Sequence, residues 1–153
     1  MKLAEALILR ADYQKRIEQL KSRLLQNIQV QEGDDPYENP KELMKELTDL
    51  LSQLQDLVQK INKTNLLTPF NETESLADVL VKRDLIGQER SIYSNLLEQA
   101  NFRQDRYSRS EIKYVTTINV KENQKHVDEL SKKYRLLDMK IQELNWQTDL
   151  LEK

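Results

Sequence analysis

The sequence predicts an all-α protein: an antiparallel, up-down-up-down four-helix bundle with long helices and an extended, partly β-like insertion between the third and fourth helices. The first observation is composition, because 33 % of the residues are charged, only 6 % are aromatic, and glycine and proline are scarce. The second is four stripes of apolar positions spaced by three and four residues. The third is an asparagine three residues before a glutamate, found ahead of three of the stripes.

The first two helices are predicted at about residues 2–30 and 40–63. The stripe of the first helix consists of Leu3, Ala6, Arg10, Tyr13, Ile17, Leu20, Leu24 and Ile28. The stripe of the second helix consists of Leu43, Leu47, Leu50, Leu54, Leu57 and Ile61. Asn39–Glu42 (NPKE) precedes the second stripe and offers an asparagine cap, a proline at the first helical position and a glutamate at the third.

The third and fourth helices are predicted at about residues 72–100 and 120–151. The third stripe consists of Leu76, Val79, Arg83, Ile86, Arg90, Tyr93, Leu97 and Ala100. The fourth consists of Val120, Val127, Leu130, Tyr134, Leu137, Ile141 and Leu144. Asn71–Glu74 (NETE) and Asn119–Glu122 (NVKE) provide the corresponding caps.

The connections indicate a single domain over residues 1–153. The first two are short and contain Gly33 and prolines, so that consecutive helices should pack antiparallel. The third connection, about 101–118, is much longer than a bundle needs. The rival architecture is a pair of long hairpins that completes its core only as a dimer.

This long connection is the candidate binding or assembly segment, and its residues of interest are Arg103, Arg106, Tyr107, Arg109 and Tyr114. Its later part alternates apolar and polar residues like a strand face, and a lone strand needs a partner. That partner could be the start of the same segment, a second subunit or a target strand. Docking of the segment on the side of the bundle is an equal alternative.

Charge gives two interpretations of the same segment. Arginines interleaved with tyrosines are suited to phosphate contact and base stacking, so an RNA- or phosphate-binding module that uses Arg103–Lys113 is one hypothesis. The other is neutralisation by the acidic first connection, which holds Glu32, Asp34, Asp35 and Glu38. The net charge of −2 and the absence of a nucleic-acid motif argue against nucleic acid.

Six further residues form a candidate polar pocket or register layer: Arg10, Asn62, Asn65, Arg83, Arg90 and Trp146. The three arginines fall within apolar stripes, so their charges need either acidic partners or an exposed rim. Asn65 could instead cap the end of the second helix, and Trp146 could close the end of the bundle as a lid.

The sequence contains no catalytic motif, and we expect no enzyme, cofactor or metal site. It has no cysteine, a single histidine (His126), and two isolated glycines where a phosphate loop would need several. No apolar run approaches the roughly 20 residues of a spanning helix. Glu5 interrupts the apolar start, so we expect no signal peptide and a cytoplasmic protein, with export by another route left open.

Four stretches carry a resemblance to a known family: Leu7–Leu20 (LILRADYQKRIEQL), Ile61–Asn65 (INKTN), Arg103–Val115 (RQDRYSRSEIKYV) and Asn145–Leu150 (NWQTDL). Together they resemble a family of small, uncharacterised bacterial helical proteins often given the name septicolysin. The resemblance spans nearly the whole chain and implies a helical fold. It brings no established activity, cofactor or catalytic residue, although the name implies a cytolysin.

Three functions therefore compete. The leading hypothesis is a non-enzymatic helical bundle that acts through protein–protein contacts, with a homo-oligomer as one form. The second is a membrane-acting, cytolytic protein, since amphipathic helices can bind a membrane surface without spanning it. The third is the RNA- or phosphate-binding module.

Overall fold

The computed structural model describes residues 1–101 and 113–153, which form four α-helices, so the predicted all-α, four-helix fold class is confirmed. The helices are α1 (Leu3–Asn27), α2 (Pro40–Leu67), α3 (Leu76–Ala100) and α4 (Val120–Gln147). The chain divides into two compact units. We call residues Met1–Ala77 with Gln142–Lys153 the terminal unit, and residues Asp78–Ile141 the central unit.

The predicted asparagine caps form at two helix starts. Asn39 Oδ1 accepts a hydrogen bond from Lys41 N at 3.0 Å, with Pro40 at the first position of α2. Asn119 Oδ1 accepts from Glu122 N at 2.9 Å at the start of α4. In both cases a backbone N–H without a partner inside the helix gains one from the asparagine side chain.

The third motif behaves differently. Asn71 Oδ1 accepts from Glu74 N at 2.7 Å and Asn71 Nδ2 donates to Glu74 Oε1 at 3.0 Å, so the reciprocal pairing forms. However, the backbone closes a turn here, with Phe70 N donating to Glu74 O and a single β-bridge between Pro69 and Ser75. α3 therefore begins at Leu76 rather than at 72.

Two helix ends also differ from the prediction. α1 stops at Asn27, before 30, because the buried Asn27 side chain donates to Arg23 O and accepts from Glu38 N in the following connection. α2 continues to Leu67, beyond 63, so Asn65 lies within the helix and does not cap its end. Pro69 follows two residues later and cannot continue a helix.

In the terminal unit, α1 and α2 pack as an antiparallel pair. Leu20, Leu43 and Leu50 form a buried cluster, against which Tyr13, Ile17, Leu24 and Leu47 pack. At the connected end of the pair, Arg23 Nε donates to Glu38 Oε2 at 3.0 Å. The apolar stripes of both predicted helices thus meet as the spacing required.

The opposite end of the terminal unit joins parts of all four helices. Leu3 N, at the start of α1, donates to Thr148 O just after α4 at 2.8 Å. Leu76 N, at the start of α3, donates to Thr68 O just after α2 at the same distance. Two helix starts and two helix ends therefore meet within the terminal unit.

In the central unit, α3 and α4 also run antiparallel. Arg83 on α3 pairs with Asp138 on α4, whereas Tyr93 lies further along α3 and contacts His126, nearer the start of α4. The buried apolar residues of this unit are Val79, Leu97, Val127, Leu130 and Ile141.

The predicted insertion between α3 and α4 lies largely outside the described residues. No strand occurs in its described part, residues 113–119. Tyr114 and Val115 are 79 % and 82 % exposed there.

Candidate functional site

The line of contact between α3 and α4 in the central unit is unusually polar, and we call it the polar seam: Arg83, Glu89, Arg90, Tyr93, His126, Tyr134 and Asp138. Arg83 supplies its best-formed ion pair. Its Nη1 donates to Asp138 Oδ1 at 2.8 Å and its Nε donates to Asp84 Oδ1 at 3.2 Å. Burial lowers the pKa of Arg83, but the hydrogen bonds to Asp138 and Asp84 outweigh this and raise it above its usual value.

Arg90 lies seven residues further along α3 and contacts a ring instead of a carboxylate. Its Cζ is 5.6 Å from the centroid of the Tyr134 ring, within the range of a cation–π contact. Gly87, one turn before, provides room for that ring. A Cβ on Gly87 would lie 3.1 Å from Tyr134 Cε2, closer than an ordinary contact.

The third part of the polar seam surrounds the single histidine. The ring centroids of His126 and Tyr93 are 4.6 Å apart, with an angle of 71° between the planes, which is an edge-to-face contact. His126 Nε2 lies 3.3 Å from Glu89 Oε1. The sequence places His126 among charged residues, and the structure gives it both an aromatic and an acidic neighbour.

These contacts show what the two seam arginines of the central unit do. Arg83 is ion-paired and Arg90 packs on a tyrosine, so each charge has a partner within the same unit. The sequence did not indicate Asp138 or Tyr134 as the partners of these arginines, nor the role of Gly87. An isolated glycine inside a helical pattern is the one sequence signal that could have indicated the close approach of the Tyr134 ring to α3.

The other members of the predicted pocket belong to the terminal unit. Arg10 and Asn65 are half-buried in α1 and α2, and Asn62 is exposed. Trp146 is 54 % exposed, whereas its neighbour Asn145 is 4 % exposed. The buried member of that stretch is thus the asparagine. A pocket shared by these side chains stays a prediction.

The polar residue that holds this end of the unit together is Thr64, which is not among the six candidate pocket residues. Its side chain is fully buried, its Oγ1 accepts from Leu151 N at 2.9 Å, and the same hydroxyl donates to Lys60 O at 2.7 Å. Lys60 Nζ also pairs with Glu152 Oε2 at 3.2 Å. These contacts bind the segment after α4 to α2.

The predicted binding segment is only partly described. Arg103, Arg106, Tyr107 and Arg109 lie outside the described residues, and so does their suggested neutralisation by the acidic first connection. Within that connection, Glu38 instead pairs with Arg23 of α1. The arginine hydrogen bond lowers the pKa of Glu38 below its usual value.

An apolar surface lies on the side of α3 that faces away from α4. Val81, Leu85, Ile92 and Leu96, which we call the α3 outer stripe, are 59 %, 57 %, 51 % and 49 % exposed. At 3.6 residues per turn they fall within an arc of about 60°, roughly opposite Arg83, Gly87 and Arg90. The row consists of two pairs of half-exposed branched aliphatic residues with Gln88 between them, and apolar side chains gathered on one side of a helix are typical of a contact surface.

Two kinds of structural feature are absent from the part of the chain that the structure describes. Over residues 1–101 and 113–153, no three histidine, cysteine or acidic side chains are grouped so as to hold a metal ion. In the same part of the chain, no helix combines the length and apolar character needed to cross a membrane.

A family model describes most of this sequence. The model of a family of unknown function, DUF6847, matches residues 10–150. The chain belongs to the DUF6847 family. A conserved protein of unknown function from Corynebacterium diphtheriae, known from a crystal structure, is similar to this DUF6847 chain over 99 % of both chains, with 50 % identity and a TM-score of 0.92. No curated protein matches the sequence. The likeness to septicolysin stays a prediction.

Proposed function

We propose that this protein is a non-enzymatic helical protein that acts through a protein–protein contact made by the α3 outer stripe. The observation that carries the proposal is the exposure of Val81, Leu85, Ile92 and Leu96 in one row. Leaving four branched aliphatic side chains in water forgoes the free energy that their burial would contribute. A partner that covers the row would bury these side chains and gain that free energy on binding.

The polar seam supports the same proposal from the other side of α3. Its polar groups are engaged with each other, as in the ion pair of Arg83 with Asp138 and the contact of His126 with Glu89. Groups held in this way stabilise the antiparallel helix pair. The surface available to a partner is then the outer side of α3 and not the seam.

Site-specific photo-crosslinking in living cells tests the proposal. A photoreactive amino acid would replace Leu85 in one variant and Leu136 in a matched control. Leu136 is on α4 and is 47 % exposed, close to the 57 % of Leu85. We expect a discrete polypeptide adduct from position 85 and none from position 136. The absence of an adduct at position 85, or equal adducts at both, would overturn the proposal.

A further inference from the structure

We infer that the partner of the α3 outer stripe is a second copy of this chain, with the two α3 helices packed antiparallel about a two-fold axis. This inference rests on the proposed function, because it names the partner of the same surface. An isologous interface requires one patch to be complementary to itself. The positions along α3 meet this requirement.

The stripe is symmetric about the point midway between Gln88 and Glu89. Val81 and Leu96 are equally distant from that point, and so are Leu85 and Ile92. When the two-fold axis passes through it, Leu85 of one copy lies opposite Ile92 of the other, and Val81 lies opposite Leu96. Every half-exposed aliphatic residue of the stripe is then matched by another.

The centre of the stripe is also compatible with a two-fold axis. Gln88 of one copy lies beside Gln88 of the other, and an amide can both donate to and accept from an identical amide. Glu89 is the charged residue nearest the axis. Its Oε1 lies 3.3 Å from His126 Nε2 of the same chain, and the two-fold axis brings it beside Glu89 of the other copy at the edge of the stripe.

The size of the patch determines the strength of the contact. Four side chains that are 49–59 % exposed form the core of a small interface, well below the roughly 800 Å² per partner of a standard stable complex. We therefore expect a reversible dimer with a dissociation constant on the order of micromolar or weaker. A concentration series is thus part of any test.

Sedimentation equilibrium of the full chain provides the first test. We expect a monomer–dimer equilibrium that Leu85→Glu weakens by at least about 100-fold, because the two-fold axis places two unpaired charges in one apolar interface. Leu136→Glu on α4 is the matched control and should leave the dissociation constant unchanged. A monomer up to about 1 mM, or a dimer that dissociates only with Leu136→Glu, would overturn the inference.

Cysteine crosslinking tests the antiparallel arrangement and needs no destabilising change. The chain has no cysteine of its own. Gln88→Cys should oxidise to a disulfide-linked dimer, because a disulfide needs Cα atoms within about 7 Å. Val81→Cys alone should not form a disulfide, because the Val81 positions of the two copies are then 15 residues, or about 22 Å, apart along the helices. An equimolar mixture of Val81→Cys and Leu96→Cys should form a mixed dimer.

The outcomes separate this inference from the proposed function. Self-linked Val81→Cys would indicate parallel helices and would contradict the arrangement. A photo-adduct at position 85 that contains a different protein, together with a strictly monomeric chain, would contradict the self-association but leave the proposed function standing. An adduct with a second copy supports both.

Discussion

Gly87 leaves the space that the Tyr134 ring occupies in the central unit: a Cβ at position 87 would lie 3.1 Å from Tyr134 Cε2. The glycine weakens the interior of α3 by about 1 kcal/mol relative to alanine. In return, the ring reaches the guanidinium of Arg90. The packing of the Tyr134 ring on α3 therefore explains why glycine, which has a low helix propensity, occupies position 87.

A double-mutant cycle tests this relationship. Gly87→Ala in a Tyr134→Ala background should raise the free energy of unfolding by about 0.5–1 kcal/mol, because only helix propensity acts there. In the wild-type background the crowding of the ring should cancel part or all of that gain. Urea unfolding of the four proteins measures the coupling. Identical effects in both backgrounds would show that the ring moves aside without cost.

The pair of Arg83 with Asp138 should contribute measurably to stability. The Arg83 side chain is only 20 % exposed and its hydrogen bond to Asp138 is 2.8 Å. Asp138→Ala should lower the free energy of unfolding by about 1–2 kcal/mol, because it leaves a partly buried charge short of an acceptor. The matched control is Asp12→Ala, which breaks an exposed i,i+4 pair with Arg16 and should cost less than about 0.5 kcal/mol. Equal losses would show that burial does not distinguish the two pairs.

The contact between Arg23 and Glu38 predicts a pH-dependent contribution to stability. The arginine hydrogen bond lowers the pKa of Glu38 in the folded protein. A lowered pKa means that the stabilisation is present above the unfolded pKa of about 4.3 and disappears as the pH falls through the folded pKa. The urea midpoint of the wild type should therefore exceed that of Glu38→Gln at about pH 7, and this difference should shrink towards about pH 3. Glu18→Gln is the control, because Glu18 is exposed. A difference in urea midpoint between wild type and Glu38→Gln that stayed constant with pH would exclude this mechanism.

The hydroxyl of Thr64 should matter more than its methyl group. Thr64→Val keeps the shape but removes the acceptor for Leu151 N, which leaves that N–H without its partner and should cost about 1–3 kcal/mol. Thr64→Ser keeps the hydroxyl and should lose about 1 kcal/mol for the missing methyl group. Hydrogen exchange at the Leu151 amide should be faster in the valine variant than in the serine variant. The reverse order would show that packing, and not the hydrogen bond, holds this segment.

The local signals of the sequence predicted much of the fold. Asn39 and Asn119 cap α2 and α4 because a side-chain acceptor beside free backbone N–H groups acts locally, whatever the rest of the chain does. The same chemistry at Asn71 formed its reciprocal hydrogen bonds but not a helix start. There the bridge between Pro69 and Ser75 holds the backbone in a turn, and pairing between separate segments cannot be read from a cap motif.

The candidate site was less predictable. The seven-residue spacing of Arg83 and Arg90 put both on one face of a helix, but it did not indicate that one would bind a carboxylate and the other a ring. These partners depend on how far α4 is shifted along α3, and this shift cannot be predicted from the spacing of residues within one helix. The hydrogen bond from Leu151 N to Thr64 Oγ1 could not be predicted for a similar reason, since the two residues are 87 apart in the sequence.

Trp146 gives the terminal unit an optical signal of its own. It is the one tryptophan of the sequence, it belongs to the terminal unit, and it is 54 % exposed. Its emission therefore reports on its surroundings in the terminal unit, whereas far-ultraviolet circular dichroism sums over the helices of both units. Coincident melting curves from the two signals would identify one cooperative transition. Separated curves would show that the two units unfold in separate transitions.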